Sequence, residues 1–286
     1  MLRAARAGDE PAIEAFLAAQ AETSMFLRAN LEHLGLFDRV SPTGTAFHVL
    51  ETANGISGVF GLSNAGFVLC QAPHATDDDW SGLVRALAGR AVSGIAGEAA
   101  QVERAKDVLG LRRAAYSLDD PEPLYRLDLA TLTVPEGPGK LRKPDTTDRD
   151  LLFRWTRAYS AELHMSSARM LDEEAHGRTD RAIASGDARL LIIDGTPVAM
   201  TALNARAADM VQIGGVFTPP DLRGRGHARR AVALHLHEVR QGGVRTAILF
   251  ASGPAACRAY EAIGFERIGR YTLAILTSPV TLGRAP

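Results

Sequence analysis

One run of residues carries most of the chemistry in this sequence: Val216-Phe217-Thr218-Pro219-Pro220-Asp221-Leu222-Arg223-Gly224-Arg225-Gly226-His227-Ala228-Arg229-Arg230. An apolar strand enters a glycine-rich, arginine-bearing turn, and the turn opens an amphipathic helix. Glycine permits a tight turn and leaves backbone N–H groups uncovered. The first turn of a helix adds donors without intrahelical partners and a positive dipole end. Such a seat suits a diphosphate, gripped by the amides of about Gly224 to Arg229. The Lys-Ser/Thr ending of a P-loop and the full G-x-G-x-x-G spacing are both missing. A different phosphate-bearing ligand is therefore expected. Taken alone, a solvated surface turn explains the segment equally well. Arg-Gly nucleic-acid segments fit less well, being repeated and disordered, whereas this one is single and flanked by regular structure.

The elements that must hold this turn are readable. Asp148 to Met165 has helical apolar spacing, and a polar helix follows over about Ala168 to Ala184. Strands are expected at Arg189–Ile193, Pro197–Asn204 and Met210–Phe217, the first pair joined by an Asp194-Gly195 hairpin turn. Gly214-Gly215 suggests a bulge in the strand before the turn. The helix His227–Gln241 places Ala228, Val232, Leu236 and Val239 on one stripe. A short strand, Arg245–Phe250, precedes a helix starting at Pro254 and capped at Gly264. Arg267–Leu276 closes the series.

The first half repeats this order more faintly. A helix is expected over Glu10–His33, then strands at Ala46–Thr52, Ile56–Leu62 and Gly66–Gln71. A helix around Trp80–Ala88, a strand at Val92–Ile95, a helix from Ala99 and a closing strand at Tyr125–Leu132 follow. Two copies of one α/β unit are the simplest account, divided as 1–134 and 135–286. Pro135-Glu136-Gly137-Pro138-Gly139-Lys140 reads as the linker between them.

A chain of 286 residues suggests about two domains. The formal net charge of -1 gives no reason to expect nucleic acid or an anionic membrane as partner. Lysine occurs only at Lys106, Lys140 and Lys143, a bias expected of a GC-rich bacterial genome. Cys70 and Cys257 lie far apart outside any CxxC pattern, which fits a reduced cytoplasmic setting. No signal peptide or membrane span is expected. His235 and His237, two apart on a helix, face different directions and cannot share a metal; they read as residues of a solvated face, and no metal site is expected. Cys257, Trp80 and Trp155 read as packing residues.

The second half resembles the GNAT superfamily of acyl-CoA-dependent N-acyltransferases. Arg223-Gly224-Arg225-Gly226-His227-Ala228 fits that family's Arg/Gln-x-x-Gly-x-Gly/Ala loop, between strand and helix as the family requires. Tyr260-Glu261-Ala262-Ile263-Gly264-Phe265 fits its Tyr-x-x-x-Gly-Phe helix. The resemblance covers roughly residues 140 to 280. One departure is Gly253, with Ser252 beside it, where an asparagine often stands seven residues before the tyrosine. The first half looks like a degenerate copy: Gln71-Ala72-Pro73-His74-Ala75-Thr76-Asp77-Asp78-Asp79 stands at the loop position without a glycine, and Lys106 stands at the tyrosine position. The fold implied is α/β (α+β), two GNAT-like acyltransferase domains, each a mixed, largely antiparallel sheet flanked by helices. Only the second would hold acyl-CoA.

The resemblance also implies roles. Acetyl-CoA would be the co-substrate, held by Val216, Phe217, Thr218, Arg223, Gly224, Arg225, Gly226, His227, Ala228 and Arg229. The Val216 amide could face the thioester oxygen. Tyr260 is the candidate general acid, with a helix-packing aromatic as its plainer reading. Glu162 and His164 are candidate acceptor residues, with ordinary helix ends as theirs. No general base is assignable. The expected activity is acetyl transfer to a small-molecule or peptide amine. A non-catalytic acyl-CoA sensor and a transferase for longer acyl-CoAs are the alternatives. The oligomeric state is open, a homodimer included.

Overall fold

The computed structural model describes residues 1–165 and 170–283. The contacts divide it into two compact units: Met1–Pro121 with Arg270–Pro286, and Glu122–Gly269. The chain therefore does not divide at 134/135. Each unit takes a strand that lies, in sequence, on the far side of that expected boundary.

The first unit contains β1 (Leu2–Ala4), α1 (Glu10–Ala18), α2 (Ala21–Leu34), β2 (Thr45–Thr52), β3 (Gly55–Ser63) and β4 (Phe67–Gln71). It continues with α3 (Asp77–Leu87), β5 (Ala91–Glu98), α4 (Ala99–Val108) and β6 (Tyr116–Leu118). Strands β1 to β4 pair antiparallel in sequence order, and β4 pairs parallel with β5. The other edge of β5 is taken by the C-terminal strand, with Tyr271 opposite Glu98 and Ile275 opposite Gly94. Its core centres on Phe60, with Trp80 edge-on at 4.9 Å, and on Leu83, Ile95 and Val102. The single helix expected over Glu10–His33 is broken at Ala19-Gln20. No glycine or proline marks that break, so apolar periodicity runs through it.

The second unit holds β7 (Pro121–Asp128, from Glu122 onward), β8 (Lys140–Arg142), α5 (Arg149–Glu162), α6 (Leu171–Ala184), β9 (Ala188–Ile193) and β10 (Thr196–Ala207). Next come β11 (Met210–Phe217), α7 (His227–Gln241), β12 (Thr246–Phe250) and α8 (Pro254–Glu261), and then β13 (Glu266–Thr281), which leaves this unit at Gly269. The start expected for the second helix, Ala168, lies outside the described residues. Strands β8 to β11 pair antiparallel in sequence order, β11 pairs parallel with β12, and β12 pairs antiparallel with β7. A parallel pair needs a crossover, and α7 supplies it. Asp194 and Gly195 both have positive φ, +47° and +76°, as a tight hairpin turn requires.

Two strand expectations change partner. The segment expected to close the first half, Tyr125–Leu132, is strand only to Asp128, within β7, and turns into a short 3-10 helix at Leu129–Thr131; β7 pairs with β12 of the second unit. The segment expected to close the second half pairs, from Tyr271 on, with β5 of the first. The apolar content of both strands is as expected, but nothing in a strand's own sequence names the neighbour it pairs with. Pro135–Lys140 is not an inter-unit linker. It lies within the second unit, where Arg230 donates to the carbonyls of Pro138 (2.8 Å) and Pro135.

Helices cover both faces of the second sheet. On one face Val232, Leu236 and Val239 of α7 and Tyr260 of α8 bury against Tyr125, Val211, Ile213 and Leu249. On the other, Leu152 and Trp155 of α5 pack on Leu190, Met200 and Phe217. The buried stripe of α7 is wider than its apolar spacing suggests and takes in His235, which is 1% exposed. The solvated-face reading therefore holds for His237 alone. Among the described residues no helix is long and apolar enough to cross a membrane.

Candidate functional site

The site begins where β11 leaves its parallel neighbour. Pairing with β12 runs from Met210 opposite Thr246 to Ile213 opposite Leu249 and then stops, although β11 continues to Phe217. On the β10 side, Ala202 faces Gly214 while Met200 faces Phe217, so β11 carries an extra residue there. Gly214 and Gly215 make this possible. A Cβ on Gly214 would overlap the Asn204 side chain, and Gly215 sits at φ +57°. The result is a wedge between two parallel strands, with Gly215 and Val216 partly exposed at its mouth. An extended arm could lie there and use main-chain donors as a neighbouring strand would.

Beyond Phe217 the chain turns twice, at Pro219–Leu222 and at Gly224–Gly226. Leu222 and Arg223 close the first turn by donating to the Pro219 (2.9 Å) and Pro220 (3.3 Å) carbonyls. Gly224 and Gly226 have φ of +77° and +78°, the left-handed region that favours glycine. Gly226 is the residue before α7, and no side chain caps that helix. Among the described residues the amides from Gly224 to Arg229 donate no hydrogen bond, while Arg230 resumes the helical pattern by bonding Gly226 at 3.0 Å. Six consecutive N–H groups thus surround an exposed helix start. Two buried polar atoms nearby also lack partners among the described residues, Thr218 Oγ1 and Arg229 Nε. Burial, with the Arg225 charge adding to it, holds His227 below the usual histidine value. This donor set fits an anionic diphosphate.

The arginines are not simply solvated. Arg223 Nε donates to the Thr218 carbonyl at 2.9 Å, its guanidinium carbon lies 5.7 Å from the Phe217 ring centroid, and its Nη2 reaches both oxygens of Glu162 at 2.8 Å. Glu162, the last residue of α5, is thereby tied to the loop. His164, just past that helix, is exposed and holds φ +52° as the helix terminates, with Met165 N donating to Ser160 O at 3.0 Å. The structure gives His164 a helix-ending role, its N–H donating to Ala161 O at 3.2 Å, and brings its imidazole no partner among the described residues.

Tyr260 projects from α8 and is 8% exposed, edge-on to Phe265. Burial raises its phenol well above the ordinary tyrosine value, and Tyr159, Glu122 and Cys257 raise it further. Tyr159, on α5, is raised mainly by burial, lowered by Arg178, raised by Glu122 and lowered by the Gly215 amide directed at its oxygen. Two phenols, a carboxylate and a guanidinium therefore share one region beside the wedge. Glu122, Tyr159 and Arg178 were not singled out in the sequence. They come from three separate elements, and only the fold gathers them. Tyr125, which the sequence marks only as a strand residue, donates to Glu261 at 2.6 Å and anchors α8 to β7.

The first unit has the same layout with the seat closed. Pairing of β4 with β5 stops at Cys70 opposite Gly97, so a wedge begins there too. Here the Ala72 amide donates to Gln101 Oε1 at 2.6 Å, and a side chain of the same unit occupies the position. The start of α3 is sealed by a capping box: Asp79 N donates to Thr76 Oγ1 (3.3 Å) and Thr76 N to Asp79 Oδ2 (3.0 Å). Lys106, at the tyrosine position, is 3% exposed and paired with Glu103 and Asp119.

The family model for the Acetyltransferase (GNAT) family matches residues 150–265, from α5 through the Gly264-Phe265 end of the α8 segment. Among curated proteins no significant match is found. Solved structures align over nearly the whole chain. A GCN5-related N-acetyltransferase from Sphaerobacter thermophilus is 16% identical with a TM-score of 0.58, covering 99% of this chain and 96% of its own. One from Kribbella flavida is 18% identical with a TM-score of 0.58, covering 91% and 95%. A tandem GNAT protein from the clavulanic acid biosynthesis pathway is 14% identical with a TM-score of 0.57, covering 100% and 99%. At these identities the structures speak to the fold, and the fold they share spans both units. With the matched segment enclosing the wedge, the open loop and Tyr260, residues 150–265 of this chain are a domain of the GNAT acetyltransferase family.

Proposed function

We propose that this protein is a cytoplasmic N-acetyltransferase that moves the acetyl group of acetyl-CoA to a primary amine by direct attack, with the donor seated in the second unit alone. The observation that carries this reading is the pair of helix starts. The one at Gly226 leaves six amides open, and the one at Thr76 is sealed by its own side chains. The amides of Gly224 to Arg229 would hold the diphosphate. The wedge at Gly214–Thr218 would take the pantetheine arm, with the Val216 amide toward the thioester oxygen. An oxyanion donor of that kind is worth about 3 kcal/mol.

In the reaction the amine nitrogen forms a bond to the thioester carbonyl carbon, the C–S bond breaks, and nitrogen loses a proton to water, which afterwards returns one to Tyr260. The departing sulfur takes a proton from Tyr260. A phenol raised by burial stays protonated at neutral pH, so the proton is in place when the thiolate forms. The acceptor is a small-molecule or peptide amine.

The test is thiol release from acetyl-CoA with a panel of amines, repeated with longer acyl-CoAs. Release that needs both substrates, fastest with the acetyl donor, is expected. Tight acetyl-CoA binding without transfer to any amine would make the protein a sensor instead.

A further inference from the structure

We propose that the acceptor is an amine bearing a carboxylate close to its nitrogen, an amino acid or a molecule with that end group, with Arg178 receiving the carboxylate and Glu122 facing the amine. This rests on the acetyltransferase reading and names the substrate class for the same site.

Helices α5 and α6 pack against each other in a fixed register. Thr156 Oγ1 lies 3.2 Å from Thr179 Oγ1 and 3.3 Å from the Ala175 carbonyl, which fixes how the two helices face each other. One side of the pair is stitched shut. Arg149 bonds Asp180 at 2.5 Å, Phe153 stacks on His176 at 4.3 Å, and Arg157 bonds Asp172 at 2.5 Å. Helical spacing puts Tyr159 and Arg178 on the opposite side. Trp155 marks that side as the one turned to the end of β11, its ring 6.0 Å from Phe217. The Gly215 amide, at the mouth of the wedge, is near enough to lower the Tyr159 phenol.

Arg178 is partly buried and makes no hydrogen bond or ion pair among the described residues. A partly buried guanidinium whose side-chain donors are not committed can receive a carboxylate, and its planar fork matches the carboxylate's two oxygens. Glu122 reaches the same place from β7. Pro123 O accepts from Ala251 N at 3.1 Å, which sets Glu122 beside the approach to α8. Its carboxylate acts on both Tyr159 and Tyr260. A positive and a negative group thus flank the two phenols where the acyl group would be transferred. A zwitterionic acceptor complements both groups, whereas a simple amine complements Glu122 alone.

Matched acceptor pairs test this: phenylalanine against phenethylamine, lysine against cadaverine, arginine against agmatine, each with acetyl-CoA. For the wild type, kcat/KM should favour the carboxylated member by about tenfold or more, the scale of one charge-assisted pair. Arg178→Gln should erase the preference by raising KM for the carboxylated member, with the KM for acetyl-CoA unchanged. Arg178→Lys should restore part of it. Glu122→Gln should slow both members alike. Equal or better use of the plain amines would overturn the inference, as would an unchanged preference in Arg178→Gln or a shift in the acetyl-CoA KM instead. If no acceptor of either kind releases thiol, the acetyltransferase reading fails and takes this inference with it.

Discussion

Two side chains set the terms at the scale of single residues. Tyr260 is buried, protonated and beside the wedge, so its removal should touch chemistry more than binding. Tyr260→Phe keeps the ring on Phe265 and deletes only the hydroxyl. Turnover should fall about 10²–10⁴-fold with the acetyl-CoA affinity nearly unchanged, measured by steady-state rates and calorimetry. Equal turnover would leave Tyr260 as a packing residue. His235 makes a different prediction. Both ring nitrogens are buried without a partner, and burial, with Arg189 next, lowers it from 6.5 to about 4. The folded state needs the neutral ring, so the stability it permits is complete above pH 6.5 and is lost as pH falls from there toward about 4. The size of that loss is on the order of 3 kcal/mol. His235→Leu should remove this part of the acid slope, seen as a smaller drop in the urea midpoint between pH 7 and pH 5. An identical slope in the variant would contradict the assignment. Of these two residues the sequence marks only Tyr260 as a candidate. A histidine in an apolar stripe looks the same in sequence whether buried or solvated.

Among the elements, two helix starts with the same place in two similar units differ in what they leave open. Glycine spacing made the open one legible, since Gly224 and Gly226 supply the positive φ that uncovers the amides. The closed one was legible only as three carboxylates and a missing glycine. That its capping box forms, and that Gln101 takes the Ala72 amide in the neighbouring wedge, required the fold, because Gln101 comes from α4. Thr76→Ala should cost about 1 kcal/mol of stability, as loss of an N-cap does. It should leave coenzyme A binding untouched. Urea unfolding and a binding titration together check this, and a gain of binding at that helix would show that the cap alone had kept the first seat shut.

For the whole molecule, the strand exchange decides where the chain can be cut. A fragment of residues 135–286 would lose β7 from the edge of β12 and carry the strand after Gly269 without its β5 partner. Residues 122–269 keep the full second sheet. The longer fragment should aggregate or fail to bind coenzyme A, and the shorter one should remain soluble and bind. Size exclusion and circular dichroism would report either outcome. Local order was largely legible: Met210–Phe217 and His227–Gln241 stand as their patterns indicate. The exchange was not, because pairing between distant strands depends on the path of the chain and not on the strand's own alternation. The most direct trial of the central claim is a calorimetric titration of the intact protein with coenzyme A, alongside Gly226→Val, whose β-branched side chain disfavours the left-handed conformation at the start of α7. One molecule bound per chain, with affinity lost in the variant while its circular dichroism is unchanged, is the predicted result. No heat with the wild type, two molecules per chain, or equal affinity in a folded Gly226→Val would contradict it.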